Sequence, residues 1–158
     1  MNKIERFMEY AQAFERVYTS DDWSLLAPYF TEDAVYEVTG SGEFDGRYGP
    51  RDVLFSSLKS VLDRFDRLFD ERSVEVVAGP EERDGAVWLG WQATYKRAGL
   101  PPLVIKGEEI ARFDDDAQRI AILEDHYAPA EAAEMIWTAR RQDTRIHRAT
   151  AATSGRGN

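Results

Sequence analysis

GAVWLGWQATYKRAGLPPLVIKGEEIARFDDDAQRIAILEDHY, residues 85–127, decides how this chain folds. Three runs within it, 85–97, 103–113 and 119–127, are rich in aromatic and β-branched residues, and AGLPP and DDDAQ between them hold turn formers. SVEVVAG (73–79) precedes them across ERDG. Four successive strands on short turns predict an antiparallel meander.

Working outward, the N-terminal half carries a different period. Ile4, Phe7, Met8, Ala11, Phe14 and Tyr18 recur at three- and four-residue steps, predicting an amphipathic helix over 3–19. TSDDWSLLAPYF follows with Ser20 or Asp21 as cap and Trp23, Leu26 and Phe30 on one stripe, a short second helix that Pro28 should end or tighten. AVYEV (34–38) reads as a strand, and the glycines of TGSGEFDGRYGP mark turns around a short extended piece near Glu43 to Asp45. Leu54, Leu58, Val61, Leu62, Phe65, Leu68 and Phe69 predict a third helix over 50–69. From Pro129, AEAAEMIWTARRQDTRIH predicts a C-terminal helix over 129–148, and 149–158 a flexible tail. Residues 1–128 are then one α+β domain, with about three N-terminal helices packed on one face of a curved antiparallel or mixed sheet.

The 158 residues suit a single domain, so one function should hang on one pocket or face. Net charge is -9, with five arginines against one aspartate in 140–158, leaving -13 on residues 1–139. An acidic body repels phosphate backbones, so no nucleic-acid partner is expected. There is no run of eighteen apolar residues, so no membrane span is expected. Without cysteine there is no thiol nucleophile or cysteine zinc site, and a cytoplasmic location is expected. His126 has only His147 as a histidine companion, and the carboxylates show no metal-ligand spacing, so no metal is expected.

DDWSLLAPYFTEDAVYEV, then EFDGRYGPRDV, a long helix, and finally IARFDDDAQRIAILEDHY resemble, in order and spacing, the nuclear transport factor 2-like superfamily, and most closely its SnoaL-like, polyketide cyclase-like branch. The resemblance covers about residues 5 to 128. It implies a cone-shaped sheet wrapped around a pocket, helices closing the cone, and a homodimer paired through the outer sheet face. Because the superfamily hosts isomerases, dehydratases, epoxide hydrolases, cyclases and non-catalytic proteins, chemistry has to be read residue by residue.

Compared with ketosteroid isomerases, Val38 stands where the general-base aspartate belongs and Phe14 where a tyrosine donor belongs; Glu109, in EIARFD, keeps the position of the second, protonated-acid donor. Compared with limonene epoxide hydrolases, LEDHY matches their final aspartate at Asp125, but GWQATYKR lacks the Arg-x-Asp that completes the set. Compared with scytalone dehydratases, YTSDDW offers Tyr18 for their tyrosine, Thr19 replaces the neighbouring aspartate, and SVEVV supplies no histidine. Each catalytic set is incomplete.

Strand alternation assigns faces to the polar residues that survive. On LVIKGEEIARF, Lys106, Glu108 and Arg112 share one face, leaving Glu109 alone among apolar neighbours. On RIAILEDHY the sets are Ile120, Ile122, Glu124, His126 and Ala121, Leu123, Asp125, Tyr127; the epoxide hydrolase match turns Asp125 inward and sends Glu124 and His126 out. Two inward carboxylates in an apolar cavity cannot both ionise cheaply, and a protonated donor beside an ionised acceptor is the basis of acid/base chemistry. Glu109, Asp125 and Tyr18 are therefore the candidate catalytic residues, without a cofactor. Phe14, Tyr36, Val38, Leu89, Trp91, Tyr95 and Tyr127 are the candidate ligand wall, flat and aromatic, suited to a small, largely apolar or ring-containing ligand. The expected activity is isomerisation, dehydration, cyclisation or epoxide hydrolysis. The alternatives are a cavity that binds without turnover, which the substitutions at Val38 and Phe14 favour, or a partner docked on Met135, Ile136 and Trp137.

Overall fold

In the computed structural model, which describes residues 1–128, helix α1 runs from Lys3 to Ser20. Asn2 and Glu5 close a reciprocal capping box at its start, satisfying two backbone N–H groups that the helix leaves unbonded. Phe7, Tyr10, Ala13 and Val17 form its buried stripe. Trp23–Tyr29 is a 3-10 helix with Pro28 inside it, so the proline tightens this turn. Helix α2 spans Arg51–Arg64 and buries Leu54, Leu58 and Leu62. The periodic run to Phe69 is not one helix. At Phe65 the backbone leaves helical angles (φ -135°, ψ -73°), and a 3-10 turn, Asp66–Leu68, carries Asp66 into the interior.

Six strands follow the order β2-β1-β6-β5-β4-β3, with β1 at Phe30–Thr39, β2 at Gly46–Tyr48, β3 at Glu71–Arg83, β4 at Ala86–Lys96, β5 at Leu103–Phe113 and β6 at Ile120–Tyr127. β3 to β6 are the antiparallel meander read from the sequence. β1 lies parallel to β6, making the sheet mixed. The short extended piece falls at 46–48 rather than 43–45, because Asp45 accepts from the Ser41 backbone N–H at 2.7 Å and its hydroxyl at 2.8 Å, locking the preceding residues into a loop.

Ile120 departs from simple alternation. It faces the core at 1% exposure although Ile122, Glu124 and His126 face out, because the β5/β6 register shifts between Arg112 and Phe113. The extra residue reverses the side-chain order beyond it.

α1 and α2 pack on the concave sheet face, where Phe7, Phe30, Leu54, Leu62, Val87 and Leu123 are almost fully buried. Each such side chain contributes roughly 1.5–3 kcal/mol. This layer therefore holds the wall of the interior cavity in place. Among the described residues no helix is long and apolar enough to cross a membrane. The C-terminal helix expected at 129–148, its Met135, Ile136 and Trp137, and the tail at 149–158 lie outside the described residues.

Candidate ligand-binding cavity

A cavity of about 160 Å³ lies between the sheet and the two helices, the size at which an apolar protein cavity accepts a benzene-sized ring. Each cavity element contributes through its own periodicity. β4 turns Leu89, Trp91, Ala93 and Tyr95 inward by alternation, and α1 presents Tyr10 and Phe14 one turn apart.

Glu109 and Asp125 are directly opposed across β5 and β6, and both line the cavity. Asp125 is 9% exposed, and the Tyr36 phenol donates to its Oδ2 at 2.5 Å. Its other oxygen, Oδ1, and the Trp91 Nε1 are buried without a well-formed hydrogen bond. Burial drives the Glu109 pKa well up, and the Asp125 charge and a shared hydrogen bond push it further. Burial also raises Asp125, but hydrogen bonds from Glu109 and Tyr36 pull it back. The pair thus shares a proton, and the Tyr36 hydrogen bond to Asp125 favours its lying on Glu109. Tyr36, Tyr10 and Tyr127 are raised well above the ordinary phenol range, by burial first, and stay protonated.

Trp91 owes its pose to a glycine. It pairs across the sheet with Gly107, which in turn pairs with Tyr127. A Cβ on Gly107 would stand 2.5 Å from Trp91 Cζ2 and 2.8 Å from the His126 carbonyl oxygen. Having none, Gly107 lets the indole lie against the sheet, edge-on to Tyr127 with ring centroids 5.2 Å apart.

Of the residues singled out from sequence, Glu109, Asp125, Phe14, Tyr36, Leu89, Trp91, Tyr95 and Tyr127 line the cavity. Two do not. Tyr18 lies beneath the Arg72 guanidinium, 4.5 Å from its ring centroid, and is absent from the cavity wall. Val38, 3% exposed, packs in the core beside Asp125, its parallel-strand partner. Neither their spacing nor their polarity distinguishes the cavity from the core next to it. His126 stands on the outer face, its Nδ1 2.6 Å from Thr39 Oγ1 and its Nε2 3.3 Å from Glu124 Oε1. Among the described residues no three metal-ligating side chains converge.

The sequence reading did not single out Tyr10, Glu15, Asp66 and Arg72, which also reach the cavity. Arg72, its side chain 6% exposed, pairs through Nε with buried Asp66 at 2.7 Å and through Nη1 with Glu15 at 2.8 Å. The Tyr95 hydroxyl donates to Asp66 at 3.3 Å. Burial lowers the Arg72 pKa, yet the charges of Asp66 and Glu15 outweigh it and leave the group above its ordinary value. For Asp66, burial prevails over Arg72 and the net direction is upward. Arg72 alternates with Val74 and Val76 toward the cavity. That alternation was the available signal, hidden because the strand starts at Glu71, two residues before the run read as extended.

No protein-family model matches the sequence, and no curated protein matches it significantly. Solved structures do match. An NTF2-like protein of unknown function from Burkholderia pseudomallei superposes with a TM-score of 0.67 at 16% identity, covering 86% of this chain and 98% of that one. TerC, co-crystallized with polyporic acid, gives 0.62 at 13% identity over 85% and 97%. A candidate SnoaL-like polyketide cyclase from Shewanella denitrificans gives 0.58 at 14% identity over 83% and 96%. The chain has the nuclear transport factor 2-like fold, and SnoaL-like structures are among its neighbours.

Proposed function

We propose that this protein binds a small ring-containing molecule in the cavity and acts on it by cofactor-independent acid/base catalysis. The observation that carries this is the Glu109–Asp125 pair: opposed in register, turned into an aromatic cavity, with Asp125 Oδ1 and Trp91 Nε1 buried beside it and neither in a well-formed hydrogen bond. A buried acceptor next to a buried donor, each with hydrogen-bonding capacity to spare, suits a ligand hydroxyl or carbonyl, since a buried polar group left unbonded costs about 1–3 kcal/mol.

In this reading Glu109 gives its proton to a substrate oxygen while Asp125 takes one from carbon or from a second hydroxyl. After a dehydration or isomerisation the proton stands on Asp125, and it returns to Glu109 across the hydrogen bond between them. Tyr36 holds the Asp125 carboxylate in place, and its hydrogen bond lowers a pKa that burial raises. TerC with polyporic acid and the candidate polyketide cyclase support a ligand of this kind on this fold. A homodimer through the outer sheet face is part of the proposal, supported by half-buried Trp88 and Ile110, paired across β4 and β5, and by exposed Val104 on that face; sedimentation at micromolar concentration tests it.

Thermal-shift screening with aromatic and polyketide-like compounds should find binders, and these should turn over in wild type and not in Glu109→Gln or Asp125→Asn. Turnover unchanged in Glu109→Gln would remove that group from the chemistry. Binding without turnover in any variant would favour the second reading, a cavity that only binds, which Val38 and Phe14 support by lacking the functional groups of the isomerases.

A further inference from the structure

The cavity has a second polar end, and the acid/base reading does not use it. Arg72 and Glu109 enter from β3 and β5, opposite Tyr95 and Leu89 of β4 respectively. Those two β4 positions are about 20 Å apart by strand rise, a gap shortened by the side chains that reach inward from both ends. A ligand touching both ends is elongated.

Arg72 is the one cation on the wall among the described residues. Its two anchors differ. Asp66 is as buried as Arg72 itself, with side chains 7% and 6% exposed, so their bond is part of the interior. Glu15 is 52% exposed on the surface of α1, able to swing into water at little cost. Arg72 Nη2 has no hydrogen-bond partner among the described residues, and the guanidinium is backed by the Tyr18 face at 4.5 Å. A planar fork held from behind, with one exchangeable carboxylate on it, suits a second carboxylate in bidentate geometry. A ligand carboxylate that takes the place of Glu15 keeps the guanidinium paired, while the displaced Glu15 regains water. The far end holds both a donor, the Trp91 Nε1 N–H, and an acceptor, Asp125 Oδ1, so the charge preference of the cavity is set at the Arg72 end.

We infer that the ligand is an organic acid, with its carboxylate on Arg72 in place of Glu15 and its ring directed toward Glu109 and Asp125. This rests on the cavity reading above and narrows it to aryl-alkanoic acids and their relatives. Glu15 is a stand-in for the ligand, holding the guanidinium in place when the cavity is empty.

The test is calorimetric titration with phenylbutanoate, its neutral amide and the corresponding phenylbutylamine. Wild type should bind the acid roughly tenfold to a hundredfold more tightly than the amide, the range expected of one charged hydrogen-bonded contact. Glu15→Gln should raise affinity for the acid several-fold and leave the amide unchanged. Because Arg72→Met alone strands Asp66, the informative variant is Arg72→Met with Asp66→Asn, which should bind acid and amide alike. Equal affinity for acid and amide in wild type, tightest binding of the amine, or a Glu15→Gln variant that shifts both ligands together would overturn the inference while leaving the cavity reading intact. If none of the three binds folded wild type, both fall.

Discussion

Replacing Gly107 by alanine tests how the cavity is built. Gly107 lies in regular strand β5 without positive φ, so alanine is permitted by the backbone. On conformational entropy alone it would stabilise by about 0.5–1 kcal/mol. Space opposes it. The new methyl would meet Trp91 Cζ2 at 2.5 Å, Trp91 Cε2 at 2.9 Å and the His126 carbonyl at 2.8 Å. The carbonyl belongs to the ladder between β5 and β6 and cannot retreat without loosening the Glu109–Asp125 register. The indole cannot retreat without leaving Tyr127. Overpacking of this kind costs roughly 1–3 kcal/mol, and the net loss of up to about 2.5 kcal/mol after the entropic gain corresponds to a melting-temperature drop of up to about 10 °C. Urea unfolding followed by far-ultraviolet circular dichroism measures the loss, and near-ultraviolet bands report Trp91. Adding Trp91→Leu removes two of the three clashes and should recover part of the stability. A Gly107→Ala protein as stable as wild type, with an unchanged aromatic spectrum, would refute the claim that this glycine sets the Trp91 pose.

Three other outcomes are expected. Tyr36→Phe should destabilise by roughly 1.5–3 kcal/mol, the value of a hydrogen bond to a charged group; a loss under about 0.5 kcal/mol in denaturant unfolding would mean that Asp125 is not ionised beside it. Arg72→Met should cost about 3–5 kcal/mol by leaving Asp66 buried and unpaired, and pairing it with Asp66→Asn should restore much of that; equal losses in single and double variants would show that the ion pair is not what holds this end together. Glu109, Asp125 and Asp66 are acids whose pKa values are raised by burial, so their native forms hold protons more tightly than the unfolded chain. Their contribution is fullest below the ordinary carboxylate range and is lost as pH rises through the folded values. Asp21, held at about 2 chiefly by hydrogen bonds from Lys59 and Trp23, acts in the opposite direction at about pH 4, where the unfolded chain still binds part of a proton there, and does so equally in wild type and variant. Urea midpoints from about pH 4 to about pH 8 should therefore fall more steeply in wild type than in Glu109→Gln, and parallel curves would exclude Glu109 from the titrating set.

Much of this protein follows from residue order alone. The period-two runs of 85–127 make the meander, and the three- and four-residue steps of Phe7 to Val17 and Leu54 to Leu62 make the helices that cover it. These are local properties, set by which faces of a strand or helix are apolar. The inward turn of Glu109 is equally local, since its neighbours at every second position are Gly107 and Ala111 while the other face carries Glu108, Lys106 and Arg112. Asp125 was harder, because both faces of β6 are partly apolar and a register shift near Ile120 scrambles the alternation; its side came from resemblance rather than pattern.

What the tertiary structure alone decided is which residues meet. Asp66 reaches Arg72 only because α2 stops at Arg64 and the chain turns at Phe65, and Glu15 joins them from a helix 57 residues earlier. Tyr18 and Val38, plausible by spacing, fall outside the cavity wall, Tyr18 under Arg72 and Val38 in the core beside Asp125, because helix rotation and strand pairing, not local sequence, set where each side chain ends. Glu109 and Asp125 had their faces from strand alternation and fold resemblance, but their direct opposition depends on the register of β5 against β6, which the DDDAQ turn and the bulge beside it determine together. Periodicity states which side a residue faces; only the assembled sheet states what stands across from it.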